Sequence, residues 1–355
     1  MRKIFLVALA FLTLLGSVEI ASVQMKRSAI KRNNHRMYTY RGRKKDFKDK
    51  DYSMVGLTLN AINYYGDLAP KPSAFSTNIS LTRPAIGFVF AHRFGPRYVL
   101  TSTLTYGGIR GSDSESADQN DENGSFRYNR NLSFRNRIKE LAVVASIDWW
   151  ENMATYVSRV KWTPYAFAGL AIFHHNPQAK APSFGVDGVT PLAEAGEWVS
   201  LRRLGTEGQY STLRPTDINA GIKPYELFQI AIPFGVGARF KAGEMWDFSV
   251  ELGFRYLFTD YLDDVSKHYV DLGAFGDNEL AKAMSYRTNE VARVQPFLVP
   301  TTSEIDNRTY NVLPGYGSEG KWNQRGDRGD NDTYMVTTIK ATYILKKNYK
   351  RAKFR

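Results

Sequence analysis

Long segments of alternating apolar and polar residues constrain this chain more than any other feature of its sequence. In residues 246–258, aromatic and aliphatic residues occupy every second position, while Asp247, Ser249, Glu251 and Arg255 lie between them. A period of two places one set of side chains on each face of a β-strand. We count eight such segments, at about 52–63, 85–94, 97–107, 138–149, 163–174, 227–241, 245–258 and 333–346.

The lengths of these segments and of the links between them predict how the strands are arranged. The segments span about 10–14 residues, whereas a strand of about 9–11 residues already crosses a bilayer when tilted. Tight turns at 95–96 and 242–243 and a moderate one at 150–162 alternate with long polar links at 64–84, 108–137, 175–226 and 259–332. This alternation is typical of outer-membrane barrels. We therefore predict an all-β fold, an eight-stranded antiparallel transmembrane up-and-down β-barrel in the outer membrane, with a soluble antiparallel sheet protein as the alternative.

The N-terminus predicts export. Arg2 and Lys3 precede an apolar run at 4–15, which has the layout of a secretory signal peptide and is too short for a transmembrane helix of about 20 residues. Ala21 is the candidate cleavage position, although Glu19 stands where a small residue is expected. We predict a signal peptide at 1–21, a basic disordered arm at 22–50, the barrel at 51–345 and a basic tail at 346–355.

Both ends of the mature chain are strongly basic. Residues 26–50 hold eleven Lys and Arg against two acids, and residues 346–355 hold six against none. An even strand number places both ends on the periplasmic side, where they would attract an acidic partner or anionic groups. The candidate docking cluster is Arg41, Arg43, Lys44 and Lys45. The alternative is a pair of solvated tails, and export argues against a nucleic-acid partner.

Charged residues of both signs fall at interior positions of the predicted strands. They are Glu140, Asp148, Arg239, Asp247, Glu251, Arg255 and Lys340. The interior of an eight-stranded barrel is filled by side chains, and unpaired buried charge is costly. We therefore predict that these residues pair and plug the lumen; the alternative is a proton or ion path.

Motifs that carry chemistry are absent from the sequence. There is no P-loop, G-x-S-x-G, H-E-x-x-H or EF-hand pattern, and the chain has no Cys. We predict no catalytic residue, no cofactor and no metal site. His174 and His175 are adjacent on a strand and so point to opposite faces, which favours a plain rim position. For Asp260, Asp263 and Asp264, a hydrated rim or a salt bridge to a nearby Arg is favoured, with Ca²⁺ binding as the alternative.

Two further patterns concern the ends of the barrel. The acidic segment 112–124 is interpreted as a solvated, disordered loop tip. Aromatic residues near strand ends are interpreted as interfacial girdles, namely Tyr64, Tyr65, Trp149, Trp150, Trp162 and Trp246.

Several stretches together resemble one family of outer-membrane barrels. They are NYYGDL at 63–68, TRPA at 82–85, RNLSFR at 130–135, TPYAFAG at 163–169, FHHNPQA at 173–179, LGTEGQ at 204–209, AIPFGVG at 231–237 and FTDYLDDV at 258–265. They are similar to the PorG family, named for a component of the Por, or type IX, secretion system. The resemblance runs from about residue 56 to 343.

The resemblance implies a non-enzymatic accessory barrel that meets a periplasmic ring made of a lipoprotein and its partner. It implies no catalytic residue. Surface binding or adhesion through the long outer loops is the main alternative function. A small channel and an enzyme of the barrel-rim hydrolase or acyltransferase kind are weaker ones, because a narrow barrel has no aqueous bore and no sequence feature specifies a catalytic triad.

Overall fold

The computed structural model describes residues 51–68, 79–152, 156–157, 159–327, 329 and 331–345. The predicted signal peptide, both basic arms and the docking cluster at Arg41, Arg43, Lys44 and Lys45 lie outside the described residues. In chain order the strands are β1 Tyr52–Tyr65, β2 Arg83–Phe94, β3 Tyr98–Ser112, β4 Ser133–Asp148, β5 Trp162–His174, β6 Pro177–Lys180, β7 Trp198–Ser200, β8 Phe228–Ala242, β9 Trp246–Leu257, β10 Val299–Thr302, β11 Thr309–Val312 and β12 Thr333–Ile344.

Eight of these strands close into a barrel. Strands β1 to β5, β8, β9 and β12 each pair antiparallel with the next, and β12 pairs back onto β1 through the register Leu57↔Ala341. Closure removes free edges from this sheet, so each of the eight wall strands has a partner on both sides. The predicted eight-stranded antiparallel barrel is confirmed.

Strands β3 and β4 extend further than their sequence pattern indicates. They stay paired as far as Ser112↔Ser133, beyond the predicted ends at 107 and 138. Their outward positions become basic there, which obscures the alternation, but Ile109 and Phe134 still point inward and are buried. This inward packing keeps the two strands paired above the rest of the wall.

The outer face of the wall is apolar. Leu57 is 65% exposed and Phe228 70% exposed, and such side chains recur at every second position around the barrel. An exposed apolar surface that encircles a molecule far exceeds the patches of a few hundred Å² found on soluble monomers. Within the described ranges, no helix is both long and apolar enough to cross a bilayer.

The two ends of the barrel differ. The short-turn end carries the turns at 95–97 and 243–245 and the longer link at 149–161. The long-loop end carries the links after β1, β3, β5 and β9, and these contain the helices α1 Asp113–Ser116, α2 Glu122–Arg130, α3 Leu201–Leu204 and α4 Glu279–Ser285, with 3-10 turns at Ile79–Leu81, Leu272–Phe275, Thr288–Glu290 and Ala292–Phe297. Together these links build a folded cap over the barrel mouth.

The cap has its own core, which corrects the view of the long links as plain polar loops. Tyr269, Tyr286 and Tyr316 pack with Leu272 and Val312 in one buried cluster. Pairing of β6 with the end of β4, and of β7 with β6, extends the barrel sheet into the cap.

The prediction of a disordered acidic tip at 112–124 is also wrong. This segment forms α1 and the start of α2, where the side chain of Asp121 accepts a hydrogen bond from the Gly124 amide at 3.2 Å. Asp113 is fully buried and accepts two hydrogen bonds from Arg130, both at 2.8 Å. A long-range ion pair therefore orders a stretch whose composition alone indicates disorder.

Candidate functional site

The seven predicted lumen residues all lie inside the wall, and each contacts a partner of opposite charge. Their ion pairs are Arg255–Glu140 at 3.1 Å, Lys340–Glu251 at 2.5 Å, Arg239–Asp148 at 2.8 Å and Arg159–Asp247 at 2.7 Å. Two tyrosine hydroxyls complete the network, since Tyr334 donates to Glu140 at 2.6 Å and Tyr165 to Glu251 at 2.5 Å.

Several of these contacts join strands that are not neighbours in the sheet. Glu140 lies on β4 and Arg255 on β9, and β5 and β8 separate these strands around the wall. Asp148 likewise connects β4 to Arg93 on β2 and to Arg239 on β8. The interior is therefore bridged across its width by paired charges.

Sequence reasoning missed the two tyrosines and also two charged members of this network. Arg93 pairs with Asp148 and donates to the Pro96 carbonyl at 3.0 Å. Its inward position on β2 was detectable, because it continues the alternation Val89, Ala91, Arg93. The second member, Arg159, lies in a link without any periodic pattern.

Arg159 closes the short-turn end of the lumen. Besides its pair with Asp247, it donates to the carbonyls of Tyr156, Glu244 and Trp246, each at 2.6 Å. Tyr156 is buried beside it, in a cluster with Tyr52, Met54, Val89, Ala91, Val99 and Ile344. The described residues of the link at 149–161, Tyr156 and Arg159 above all, thus lie under the barrel and seal it.

At the other end, one tyrosine joins two carboxylates. The hydroxyl of Tyr64 lies 2.6 Å from Oδ2 of Asp263 and 2.8 Å from Oδ1 of Asp332. A phenol has one proton to donate, so the two buried carboxylates compete for it. Burial, followed by the charges of neighbouring carboxylates, raises the pKa of both aspartates well above the usual range. Both shifts favour the protonated form of the pair.

A second cap junction is built around Arg325, which is 1% exposed. It donates to Glu207 at 3.1 Å and to the Asp264 carbonyl at 2.6 Å. Asp264 also accepts hydrogen bonds from Thr206 at 2.5 Å and Tyr225 at 2.7 Å. Burial raises the pKa of Asp264 to about 6 even though Arg325 opposes the shift.

The three aspartates that are close in sequence therefore separate in space. Asp263 belongs to the Tyr64 junction and Asp264 to the Arg325 junction, while Asp260 has one buried oxygen, Oδ2, without a hydrogen-bond partner. All three are buried, so the hydrated-rim interpretation is wrong, and the salt bridge to an Arg holds for Asp264. No group of His, Asp and Glu suited to a metal ion occurs in the part of the chain that the structure describes.

The histidine pair points to opposite faces, as expected, but the rim interpretation fails for one member. His174 faces outward with its ring edge-on to Phe228, at 5.0 Å between centroids. His175 is fully buried, lies 3.0 Å from the Glu226 carbonyl through Nε2, and stacks on Tyr225. Burial lowers the pKa of His175 to about 4, so it is neutral at ordinary pH.

The predicted aromatic girdle is present at the short-turn end. Trp149, Trp150, Trp162 and Trp246 are all between 42% and 51% exposed there. Tyr64 does not belong to a girdle, because it faces inward and is buried in the cap junction.

A closed barrel with an apolar outer face and a filled, charged interior defines the class of this protein: it is an outer-membrane-type β-barrel. Residues 45–181 match a family model described as a domain of unknown function, DUF6089. No curated protein sequence matches the chain.

Three solved structures illustrate what the chain is similar to. Neisserial surface protein A (NspA) is 7% identical over 82% of this chain and 96% of its own, with a TM-score of 0.32. The N-terminal β-barrel domain of Pseudomonas aeruginosa OprF is 7% identical over 83% and 100%, with a TM-score of 0.28. Ail, the attachment invasion locus protein of Yersinia pestis, in complex with the heparin analogue sucrose octasulfate, is 5% identical over 83% and 97%, with a TM-score of 0.29.

Proposed function

We propose that this chain is a non-enzymatic barrel of the outer membrane that serves as a structural, accessory component of the type IX (Por) secretion system and docks a periplasmic ring complex. The short-turn end then faces the periplasm and the cap faces outward. The observation that carries the proposal is the filled lumen. A barrel bridged by ion pairs and sealed by Arg159 acts through its surfaces and not through a pore.

The assignment to this secretion system is supported by the sequence resemblance to the PorG family and by where the resembling stretches lie. Five of the eight stretches, at 63–68, 130–135, 173–179, 204–209 and 258–265, supply buried cap residues. Among these are Tyr64, Arg130, His175, Glu207 and Asp263. The resembling stretches, which are far apart in the sequence, thus supply residues of the same folded cap.

The experiment is a crosslinking pull-down from outer membranes that compares two reversals of four charges. The first variant changes Arg41, Arg43, Lys44 and Lys45 to Glu on the predicted periplasmic arm. The matched control changes four cap cations, Arg203, Lys223, Arg308 and Lys321, to Glu, and these are solvent-exposed. The proposal expects both to insert normally and only the first to lose salt-sensitive association with the ring lipoprotein.

If the arm variant keeps its association at low and moderate salt, the arm is not the docking site and the contact lies on the turn predicted at 150–162. If the wild type captures no ring component at all, the secretion role is wrong. The second candidate function, surface binding or adhesion, is favoured by the folded cap with its exposed Trp322, which is 82% exposed. That function expects the cap control, and not the arm variant, to lose a surface ligand.

A further inference from the structure

Cations line the outward face of β4 immediately above its apolar stretch. Leu141, Val143 and Ile147 face outward and are 43–52% exposed. On the same face, towards the long-loop end, the next three outward positions are Lys139, Arg137 and Arg135. We call these three residues the basic strip.

The height of the strip follows from strand geometry. From Trp149 to Leu141 a strand rises about 26 Å along its own axis at about 3.3 Å per residue, which is about 20 Å along the barrel axis at a tilt of about 40°. An apolar band is about 25 Å tall. Tyr106, which is opposite Lys139 in the register, is an aromatic residue of the kind that marks a membrane interface. The strip therefore lies at the level of the lipid headgroups.

The strip lacks internal counter-ions. Within the described ranges, Arg137 and Lys139 are exposed and take part in no ion pair. Arg135 donates only to the neutral Gln178 side chain, at 3.2 Å, and stacks over Trp198 at 3.7 Å. Like charges placed side by side repel one another, so an external anion would stabilise them.

The strip is also one-sided. Further around the barrel, from β8 through β9 to β12, which is opposite β4, the outward positions include no Lys or Arg, and the cap ends of β8 and β9 present Phe228, Ile230 and Tyr256. A uniform surface potential would not need such a distribution. A discrete ligand that touches one side of the barrel would need its cations on that side.

We propose that the basic strip binds the phosphate groups of a phosphorylated lipid of the outer leaflet, whose acyl chains lie against Leu141 and Val143. The guanidinium fork and the ammonium group suit phosphate. The apolar stretch directly below on the same strand face favours an amphiphile over free phosphate. This inference rests on the membrane placement in the proposed function and not on the secretion role.

The test uses the full-length protein in lipid nanodiscs that contain a diphosphorylated lipid A or the same lipid without phosphates. The variant is Arg137→Gln with Lys139→Gln, which breaks no side-chain hydrogen bond or ion pair among the described residues. The control is Lys223→Gln with Lys321→Gln in the cap. Retained lipid is measured by native mass spectrometry, and stability by the temperature at which the folded, fast-migrating form is lost on a gel.

The wild type and the control should retain the diphosphorylated lipid and gain thermal stability from it, and the lipid without phosphates should give neither effect. Each cation at an anionic surface contributes about a factor of five in affinity, so the double variant should lose about 25-fold. Equal retention by the variant would overturn the proposal. So would equal stabilisation of the wild type by inorganic phosphate, which would make the strip a plain anion site.

Different results would contradict the proposed secretion role and the proposed lipid site. A wild type that captures no ring component but still retains the diphosphorylated lipid contradicts only the proposed function. Intact ring association with unselective lipid retention contradicts only the lipid site. A wild type that does not migrate as a heat-modifiable barrel contradicts the membrane placement on which both depend.

Discussion

At the residue scale, the decisive side chains are those that hold buried charge at the two ends of the lumen. Arg159 neutralises Asp247 and uses its remaining donors on three carbonyls. Removing one partner of a buried pair leaves the other charge unpaired, which costs far more than losing an exposed pair. The same chemical change should therefore have very different effects at buried and exposed sites.

Arg159→Met should destabilise the barrel by about 3–5 kcal/mol, because Asp247 stays buried without its partner. The matched control, Arg97→Met, removes a pair with Glu151 at the same end of the barrel, where both side chains are about half exposed, and should cost about 0–1 kcal/mol. The free energy of unfolding of both variants is measured by denaturant titration, with the folded fraction read from heat-modifiable migration on a gel. Equal effects of the two substitutions would show that Arg159 is not the seal.

Tyr64→Phe should loosen the cap and spare the wall. Among the described residues, it removes the hydroxyl that Asp263 and Asp332 share, and a buried group left without its partner costs about 1–3 kcal/mol. The neighbouring Tyr65 is the control, because its hydroxyl contacts only the Met335 sulfur, at 3.9 Å. Limited proteolysis should cut residues 259–332 faster in Tyr64→Phe than in Tyr65→Phe, and identical cleavage would refute the junction.

At the scale of elements, the cap depends on links that carry an excess of buried acid. Burial raises the pKa of Asp67 and Asp264 to about 6 and that of Asp260 to about 9. In an unfolded link, each of these aspartates has a pKa of about 3.9. The folded cap thus binds more protons than the unfolded cap above about pH 4, and its stability falls as the pH rises through these folded pKa values.

The cap should therefore be most resistant to protease near pH 4 and should lose resistance in two stages, steeply between about pH 4 and pH 6 and then more slowly towards about pH 9. Asp260→Asn removes the upper stage, since the amide stays neutral, and should slow cleavage at pH 8–9 relative to the wild type. The rate of cap cleavage is measured at each pH with proteases of matched activity. Gel migration shows whether the barrel stays folded. A cap that becomes more resistant as the pH rises would contradict the assignment of raised pKa values.

At the scale of the whole molecule, the barrel is a plugged cylinder between two different surfaces. The sealing link and the cap close opposite ends, and paired charges fill the space between them. Ions that enter a lumen of this kind must displace charge pairs that already satisfy one another.

Planar-bilayer recording of the purified protein should accordingly show no large, stable conductance. The variant Arg159→Met, if it inserts, should show brief openings more often than Arg97→Met, because only the former removes the seal. A steady current of porin size in the wild type would refute the plug and would favour the channel alternative.

The sequence by itself determined the wall. Side-chain direction in a strand is a local property with a period of two, so the eight strands, their inward charges and the alternation of short and long links were all readable from neighbouring residues. The sequence pattern placed Glu140, Asp247 and Arg255 inside the barrel, and the structure pairs each of them with a counter-ion.

Only the tertiary structure decided how the two ends close. Tyr64 meets Asp263 across 199 positions of sequence, and Arg130 reaches the carbonyl of Arg325 across 195. Nothing periodic marks such residues, because their partners are brought close by chain closure and not by local geometry. For the same reason the seal at Arg159 and the ordered acidic segment at α1 were invisible in the sequence: burial and long-range ion pairs, absent from any local window, outweigh the composition that predicts loops and disorder.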